Sequence, residues 1–115
     1  MPVIIYHNPK CSKSRQTLAL LEEHGAEPTV IEYLETPPTK EELTGILAKL
    51  GIKPRDLIRK KEDAYAVCQL DDMSFSDEDL IDFMVKHPIL IERPIVLANG
   101  KAAIGRPPER VLDIL

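Results

Sequence analysis

The chain has 115 residues, enough for one hydrophobic core and too few for two domains of ordinary size. A composition of 43% hydrophobic and 30% charged residues, with no apolar run of membrane-spanning length, predicts a soluble globular protein without membrane association. The formal net charge of -4 argues against a general nucleic-acid-binding surface, so no nucleic-acid partner is expected.

The N-terminal residues predict a cytoplasmic protein. Met1 to Tyr6 lead directly into an apolar run, without the basic region, apolar segment and small-residue cleavage site of a secretory signal. There are only 2 cysteines, and one of them is expected to remain a thiol, which also indicates a reducing compartment.

A turn at Cys11 is the predicted reactive centre. The apolar, β-branched residues 3–6 predict a buried strand, and a helical pattern over about residues 12–24 follows it. Cys11 therefore lies at the start of a helix, where unpaired backbone N–H groups and the helix dipole favour an anion. Three basic residues flank it: Lys10, Lys13 and Arg15. Such surroundings lower the pKa of a thiol, so we expect Cys11 to be a reactive thiolate.

The two cysteines are predicted to differ in role. Cys68 lies in an apolar stretch without basic neighbours, which favours a small buried hydrophobic residue. Cys11 lies among Asn, Pro, Lys and Ser, which is a poor place to bury a side chain. Ser14 occupies the position that a second redox cysteine would take in a Cys-x-x-Cys pair. The expected chemistry is that of one thiol that needs an external reductant.

The first third of the chain predicts a βαβ unit. Residues 29–34 have the composition of a second strand, and Gly25 is suited to the end of the intervening helix. A strand, a crossover helix and a strand of this total length form a right-handed unit with parallel strands.

Helices are predicted across the middle of the chain. Thr39 and Glu42 have the spacing of a capping box, and Gly51 closes the helix that they open. A short helical turn follows at Pro54. Two more helical patterns cover residues 62–70 and 76–87.

The last quarter of the chain predicts two antiparallel strands and a helix. Because a strand interior excludes proline, the first of these strands begins at Pro94 or Ile95, with Arg93 at its entrance. Asn99-Gly100 is the two-residue signal of a type I′ hairpin, which joins this strand to residues 101–104. A final helix is predicted to run to about residue 114.

Three arginines stand at positions that the neighbouring elements fix. Arg59 follows the short helical turn, Arg93 precedes a strand, and Arg106 stands at the N-terminus of the final helix. Most arginines form surface salt bridges, and that interpretation fits Arg55 and Arg110 better.

The element order predicts an α/β fold. A βαβ unit, several helices and a ββα unit describe a thioredoxin-like small mixed sheet, with a helical insertion at about residues 39–88 of a single domain spanning residues 1–115. In such sheets, a reactive group between the first strand and the first helix lies at the carboxyl edge, where ligands bind.

Four motifs carry a resemblance to a known family. They are Tyr6-His7-Asn8-Pro9-x-Cys11-x-x-Ser14-Arg15, Leu57-Ile58-Arg59-Lys60, His87-Pro88-Ile89-Leu90-Ile91-x-Arg93-Pro94-Ile95-Val96 and Arg106-Pro107-Pro108-Glu109-x-Val111-Leu112-Asp113-Ile114-Leu115. With these motifs the sequence resembles the glutaredoxin-linked arsenate reductases of the thioredoxin superfold over essentially its whole length. Longer members of that family continue beyond the match to residues 113–115.

The resemblance implies a set of site residues. Cys11 would be the nucleophile, and His7 would help to keep its thiol ionised. The three arginines implied to bind the oxyanion are Arg59, Arg93 and Arg106. The supporting residues implied around the turn are His7, Asn8, Ser14, Arg15 and Pro94, the last of them being the cis proline of thioredoxin-like proteins.

The resemblance also implies a substrate and partners. The substrate would be arsenate or a similar oxyanion, whose tetrahedral oxygens suit the paired N–H donors of guanidinium groups. Glutathione would be a co-substrate and glutaredoxin a protein partner, with no bound cofactor. No metal site is predicted, because His24 and His87 lack Cys, Asp or Glu partners at metal-ligand spacing.

Two other functions remain open from the sequence. One is a glutathione-dependent thiol-exchange oxidoreductase of the same fold without arsenate activity, since an arginine clamp could also receive a glutathione carboxylate. The other is a non-enzymatic regulator that binds RNA polymerase, as in a related branch of the superfold. Members of that branch look redox-switched through a Cys-x-x-Cys pair. This chain has Ser14 in place of the second cysteine.

Overall fold

The computed structural model describes residues 2–115 and divides the chain into two compact units. The sheet unit combines the residues up to Thr36 with Arg93–Leu115, and the helical unit is Pro37–Glu92. Within the described residues, no helix is both long and apolar enough to cross a membrane.

The sheet unit contains a four-stranded mixed sheet. Its elements are β1 (Val3–His7), α1 (Ser12–Glu23), β2 (Thr29–Glu32), β3 (Ile95–Ala98), β4 (Lys101–Ile104) and a 3₁₀ helix, Pro108–Ile114. The strand order is β2-β1-β3-β4, with β1 parallel to β2 and antiparallel to β3, and β3 antiparallel to β4. The predicted βαβ unit and C-terminal hairpin are thereby confirmed.

The core of the sheet unit joins the sheet to the helices around it. Ile5 of β1 and Val96 of β3 are register partners, and both are fully buried. Leu21 of α1 and Val111 of the C-terminal 3₁₀ helix are also fully buried, in the same cluster. Burying such aliphatic side chains is worth about 1.5–3 kcal/mol each, which holds both ends of the chain to the sheet.

The backbone at the predicted turns has the expected conformation. Asn99 and Gly100 both have positive φ angles, 53° and 74°, as a type I′ hairpin requires. The Arg93–Pro94 peptide bond is cis, which confirms the expectation for Pro94, and Arg106–Pro107 is also cis, which the sequence did not predict.

The helical unit contains five helical elements among the described residues. They are α2 (Lys40–Leu50), α3 (Pro54–Leu57), α4 (Asp63–Val67), α5 (Asp77–Lys86) and a 3₁₀ helix, Pro88–Leu90. The predicted capping box is present, because Thr39 Oγ1 accepts from the N–H of Glu42 at 3.1 Å and Glu42 Oε1 accepts from the N–H of Thr39 at 2.9 Å. Gly51 ends α2 in the left-handed region, as expected.

Two predicted elements end earlier than expected. β2 stops at Glu32 because its carbonyl accepts from the N–H groups of Glu35 and Thr36, which closes a turn where the prediction continued the strand to residue 34. α4 ends at Val67 rather than near residue 70, since Gln69 adopts a positive φ of 54°. The final helix is a 3₁₀ helix that begins at Pro108.

Two side chains in the helical unit differ from their predicted roles. Cys68 is half-buried at the end of α4, so it is not the buried hydrophobic residue that was expected. Arg55 donates to backbone carbonyl groups, which the expected surface salt bridge did not include. Its Nη1 donates to the carbonyl of Leu70 at 2.7 Å and its Nη2 to that of Asp72 at 3.1 Å, so it fixes the loop after α4.

Candidate active site

Cys11 lies between the first strand and the first helix of the sheet unit. It is the N-cap residue of α1, with extended backbone angles, and its N–H donates to the carbonyl of Asn8 at 3.0 Å. The thiol is half-buried. The predicted position of Cys11 at the helix start is therefore confirmed, and there an N-cap side chain faces the unpaired N–H groups of the first turn.

Two arginines from the far end of the chain meet this sulfur. Arg106 Nη2 donates to Cys11 Sγ at 3.4 Å, and Arg106 Nε donates to the carbonyl of Arg93 at 2.8 Å. The side chain of Arg93 also hydrogen-bonds to Cys11. Both arginine side chains are half-buried. Tertiary structure thus brings two guanidinium groups from distant parts of the sequence to one thiol.

Gly105 makes the approach of Arg106 possible. A Cβ at this position would lie 2.5 Å from Thr17 Oγ1 and 2.8 Å from Pro94 Cγ, distances that no real side chain tolerates. The N–H of Gly105 donates to the Pro94 carbonyl at 2.9 Å, which holds the end of β4 against the entrance of β3. Sequence reasoning did not single out Gly105, although a glycine next to a candidate arginine signals a close backbone approach.

The surroundings lower the pKa of Cys11 below its ordinary value. Burial by itself would raise that pKa, because it penalises the charged form. The N–H of Ser14, the side chain of Arg93, the N–H of Lys13 and the charge of Arg106 together outweigh it. The sequence predicted this direction from the helix start and the nearby cations, and the structure shows that the decisive cations are Arg93 and Arg106.

His7 contacts Ser14 behind the Cys11 turn. Its Nδ1 lies 2.6 Å from Ser14 Oγ, and Ser14 Oγ also accepts from the N–H of Asn8 at 3.0 Å. All three residues are buried, and Ser14 is fully so. Burial lowers the pKa of His7, with Glu32 opposing this and Arg15 adding to it. A neutral ring whose Nδ1 accepts the Ser14 hydroxyl proton satisfies both atoms of this contact.

Asn8 and Arg15 support the loop that carries Cys11. Asn8 Oδ1 accepts from the N–H of Lys10 at 3.0 Å, which is an Asx-type turn. Arg15 Nη1 donates to the carbonyl of Pro9 at 2.9 Å, and its side chain is exposed. Both contacts are made within the turn and stabilise its conformation.

Arg59 lies in the helical unit, where it is held by acidic side chains. Its Nη1 donates to Glu92 Oε1 at 2.5 Å, and its Nε lies 4.0 Å from Glu62 Oε2. Backbone hydrogen bonds join the same two segments. The N–H of Arg59 donates to the Leu90 carbonyl at 2.7 Å, and the N–H of Glu92 donates to the Leu57 carbonyl at 2.9 Å. The expected role of Arg59 in binding an oxyanion stays a prediction.

A cleft opens beside the Cys11 turn in the sheet unit. Its volume is about 250 Å³, and its lining consists of His7, Asn8, Pro9, Lys10, Glu32, Leu34 and Glu35. Across residues 2–115, no three His, Cys, Asp or Glu side chains form a group that could hold a metal ion.

Comparison with known proteins identifies the family. A family model described as the ArsC family matches residues 6–114. The chain belongs to the ArsC family. The resemblance drawn from the four motifs is therefore confirmed, and so is the thioredoxin-like α/β fold that it implies.

Three similar proteins illustrate the range of the ArsC family. Uncharacterized protein YfgD of Escherichia coli (strain K12) is 58% identical over 98% of this chain and 96% of its own. The arsenate reductase of the same strain is 50% identical over 98% of this chain and 80% of its own. The solved structure of arsenate reductase from Vibrio cholerae is 56% identical, covers 100% of this chain and 98% of its own, and superposes with a TM-score of 0.97.

Proposed function

We propose that this protein is an oxidoreductase that reduces arsenate to arsenite through a covalent adduct on Cys11. The observation that carries the proposal is the hydrogen bond of 3.4 Å from Arg106 Nη2 to Cys11 Sγ, together with the hydrogen bond from the side chain of Arg93. An anionic nucleophile and two guanidinium groups at one point suit a substrate that is itself an oxyanion. Two relatives of the same family, at 50% and 56% identity, are named arsenate reductase.

The first step is an attack of the Cys11 thiolate on arsenic. A sulfur–arsenic bond forms and an arsenic–oxygen bond breaks, and the oxygen leaves as water after taking up a proton. Negative charge gathers on the remaining oxygens while the bond forms. Arg93 and Arg106 are placed beforehand to stabilise that charge, because each already donates to the sulfur at which the anion must dock.

The second step needs an external thiol. Ser14 stands where a second cysteine would serve as an internal reductant, and it is fully buried against His7. Glutathione is the proposed co-substrate, which attacks the adduct, and a glutaredoxin completes the reduction. The sulfur–arsenic bond breaks, arsenic keeps two electrons and leaves as arsenite, and two thiols are joined as a disulfide that further glutathione returns to thiols. No bound cofactor is required in this scheme.

The remaining site residues have supporting roles in the proposal. His7 and Ser14 fix the helix start whose N–H groups stabilise the thiolate, while Asn8 and Arg15 shape the loop ahead of it. Pro94 places Arg93 at the entrance of β3. Arg59 is the third oxyanion-binding arginine, which rests on the match to the Leu57-Ile58-Arg59-Lys60 motif of the family.

A coupled assay tests the proposal. Purified protein is mixed with arsenate, glutathione, glutaredoxin, glutathione reductase and NADPH, and arsenate-dependent loss of NADPH is followed by absorbance. We expect loss of NADPH in the complete mixture and none with Cys11→Ser. If NADPH loss does not depend on arsenate, the proposal is wrong, and disulfide exchange with a glutathionylated peptide would then test the thiol-exchange alternative.

A further inference from the structure

The ion pair of Arg59 with Glu92 is short and partly buried. Arg59 Nη1 and Glu92 Oε1 are 2.5 Å apart, and the exposed fractions of the two side chains are only 20% and 27%. A second carboxylate, that of Glu62, lies 4.0 Å from Arg59 Nε. Partial burial weakens the screening by water, so the attraction between these two charges is stronger than in an exposed ion pair.

The backbone on both sides keeps Glu92 against Arg59. Ile58 and Ile91 form an isolated antiparallel bridge, and hydrogen bonds flank it from Arg59 to Leu90 and from Glu92 to Leu57. The two segments therefore lie side by side independently of the ion pair. A neutral residue at position 92 would leave this ladder in place while it removes the negative charge.

We propose that Glu92 acts as an internal anion that occupies Arg59, and that it thereby limits how tightly Arg59 binds an oxyanion substrate. This inference rests on the proposed function, in which Arg59 binds the oxyanion. A guanidinium that already donates to a carboxylate has fewer donors and less net charge to offer a second anion. The incoming oxyanion must displace Glu92 or share Arg59 with it, against the repulsion of two like charges. Glu92 is thus a positioning residue that sets affinity through Arg59.

Arsenate binding measures this effect directly. The protein carries Cys11→Ser so that no covalent adduct forms, and titration calorimetry with sodium arsenate gives the dissociation constant with and without Glu92→Gln. We expect Glu92→Gln to tighten arsenate binding by about three- to tenfold, the size of one nearby charge in partly screened surroundings. Unchanged or weaker binding, or no measurable arsenate binding in either protein, would overturn the inference.

A matched control separates this effect from a change in net charge. Glu78→Gln also removes one carboxylate from an ion pair of the helical unit, since Glu78 Oε1 lies 2.7 Å from Lys40 Nζ. Its arsenate affinity should equal that of the parent protein within a factor of about two. If Glu78→Gln tightens binding as much as Glu92→Gln does, the effect is one of overall charge and the inference is wrong.

A double-variant cycle tests whether Glu92 acts through Arg59. In a protein that also carries Arg59→Gln, the change Glu92→Gln should alter the arsenate dissociation constant by less than about twofold. A full three- to tenfold effect without Arg59 would overturn the inference. The amide that Glu92→Gln introduces keeps an oxygen that can accept from Arg59, and a thermal melt checks that each variant is folded.

Turnover separates this inference from the proposed function. With Cys11 present, Glu92→Gln should lower KM for arsenate by about the same factor as the dissociation constant and change kcat by less than about twofold. If arsenate is bound more tightly but no variant reduces it, the proposed function fails while the role of Glu92 stands. If arsenate is reduced with KM unchanged in Glu92→Gln, the proposed function stands and the role of Glu92 fails.

Discussion

Arg106 holds two atoms of the site at once, because its Nη2 donates to Cys11 Sγ at 3.4 Å while its Nε donates to the carbonyl of Arg93 at 2.8 Å. One planar guanidinium therefore ties the Cys11 sulfur to the backbone of the second arginine. The fixed fork of its donors makes this possible, and a lysine could not form both contacts with the same geometry.

Replacing Arg106 should impair both the thiolate and the turnover. Arg106→Gln removes a positive charge beside the sulfur, so we expect the pKa of Cys11 to rise and arsenate reduction to slow by on the order of a hundredfold. The pH dependence of iodoacetamide alkylation measures the pKa. Arg110→Gln, at an exposed residue of the 3₁₀ helix that follows Arg106, is the control and should change neither quantity. An unaltered alkylation profile in Arg106→Gln would contradict the assignment.

The lowered pKa of Cys11 predicts how stability depends on pH. The folded state releases the thiol proton at lower pH than the unfolded state does. The pKa of the thiol in the unfolded state is about 8.5. The resulting stabilisation is fully present above about pH 8.5 and is lost as pH falls through the lowered value. Urea unfolding of the parent and of Cys11→Ser across this range measures the difference. Parallel stability curves for the two proteins would refute the shift.

Ser14 is expected to be structural, although it lies one turn from the thiol. Ser14→Ala leaves the buried N–H of Asn8 and Nδ1 of His7 without this hydrogen-bond partner. The free energy of unfolding should therefore fall by about 1–3 kcal/mol. The backbone N–H that lowers the pKa of Cys11 is retained, so that pKa should stay below its ordinary value. Chemical denaturation measures the free energy of unfolding, and the pH dependence of alkylation measures the pKa of Cys11. A large pKa rise without loss of stability would show the opposite division of roles.

Gly105 and Gly45 form a matched pair of tests. Gly105→Ala places a Cβ within 2.5 Å of Thr17 Oγ1, and the forced shift should cost about 1–3 kcal/mol and displace the adjacent Arg106 from the sulfur. Gly45→Ala meets no atom within 4 Å and lies inside α2, so it should stabilise the protein by roughly 0.5–1 kcal/mol. Thermal unfolding and the alkylation pH profile of Cys11 distinguish them. Equal effects of the two substitutions would disprove the close approach at Gly105.

Local signals predicted the elements that local physics controls. The capping box at Thr39, the left-handed Gly51, the hairpin at Asn99-Gly100 and the strand start after Pro94 are all confirmed, because each depends on a few adjacent residues. Errors occurred where competing turns decided the end of an element. β2 was cut short by the turn at Glu32.

The roles of the arginines were not accessible to local reasoning. Arg55 was expected in a surface salt bridge, yet it donates to two carbonyl groups of a loop 15 and 17 residues away. Arg59 was expected to bind an anion, and its ion pair with Glu92 depends on two segments that lie side by side although the two residues are 33 positions apart in the chain. Side chains of this length reach partners that only the path of the chain can supply.

By itself, the sequence determined the strand-to-helix turn that carries Cys11 and the order of the elements. A cysteine at a strand-to-helix junction, with serine in the place of a second thiol, follows from residues that are neighbours in the chain. Tertiary structure alone decided which cations lower the pKa of that cysteine. Arg93 and Arg106 reach it because β3 pairs with β1 and Gly105 permits a contact that any side chain would block, and electrostatic interactions depend on distance in space rather than along the chain.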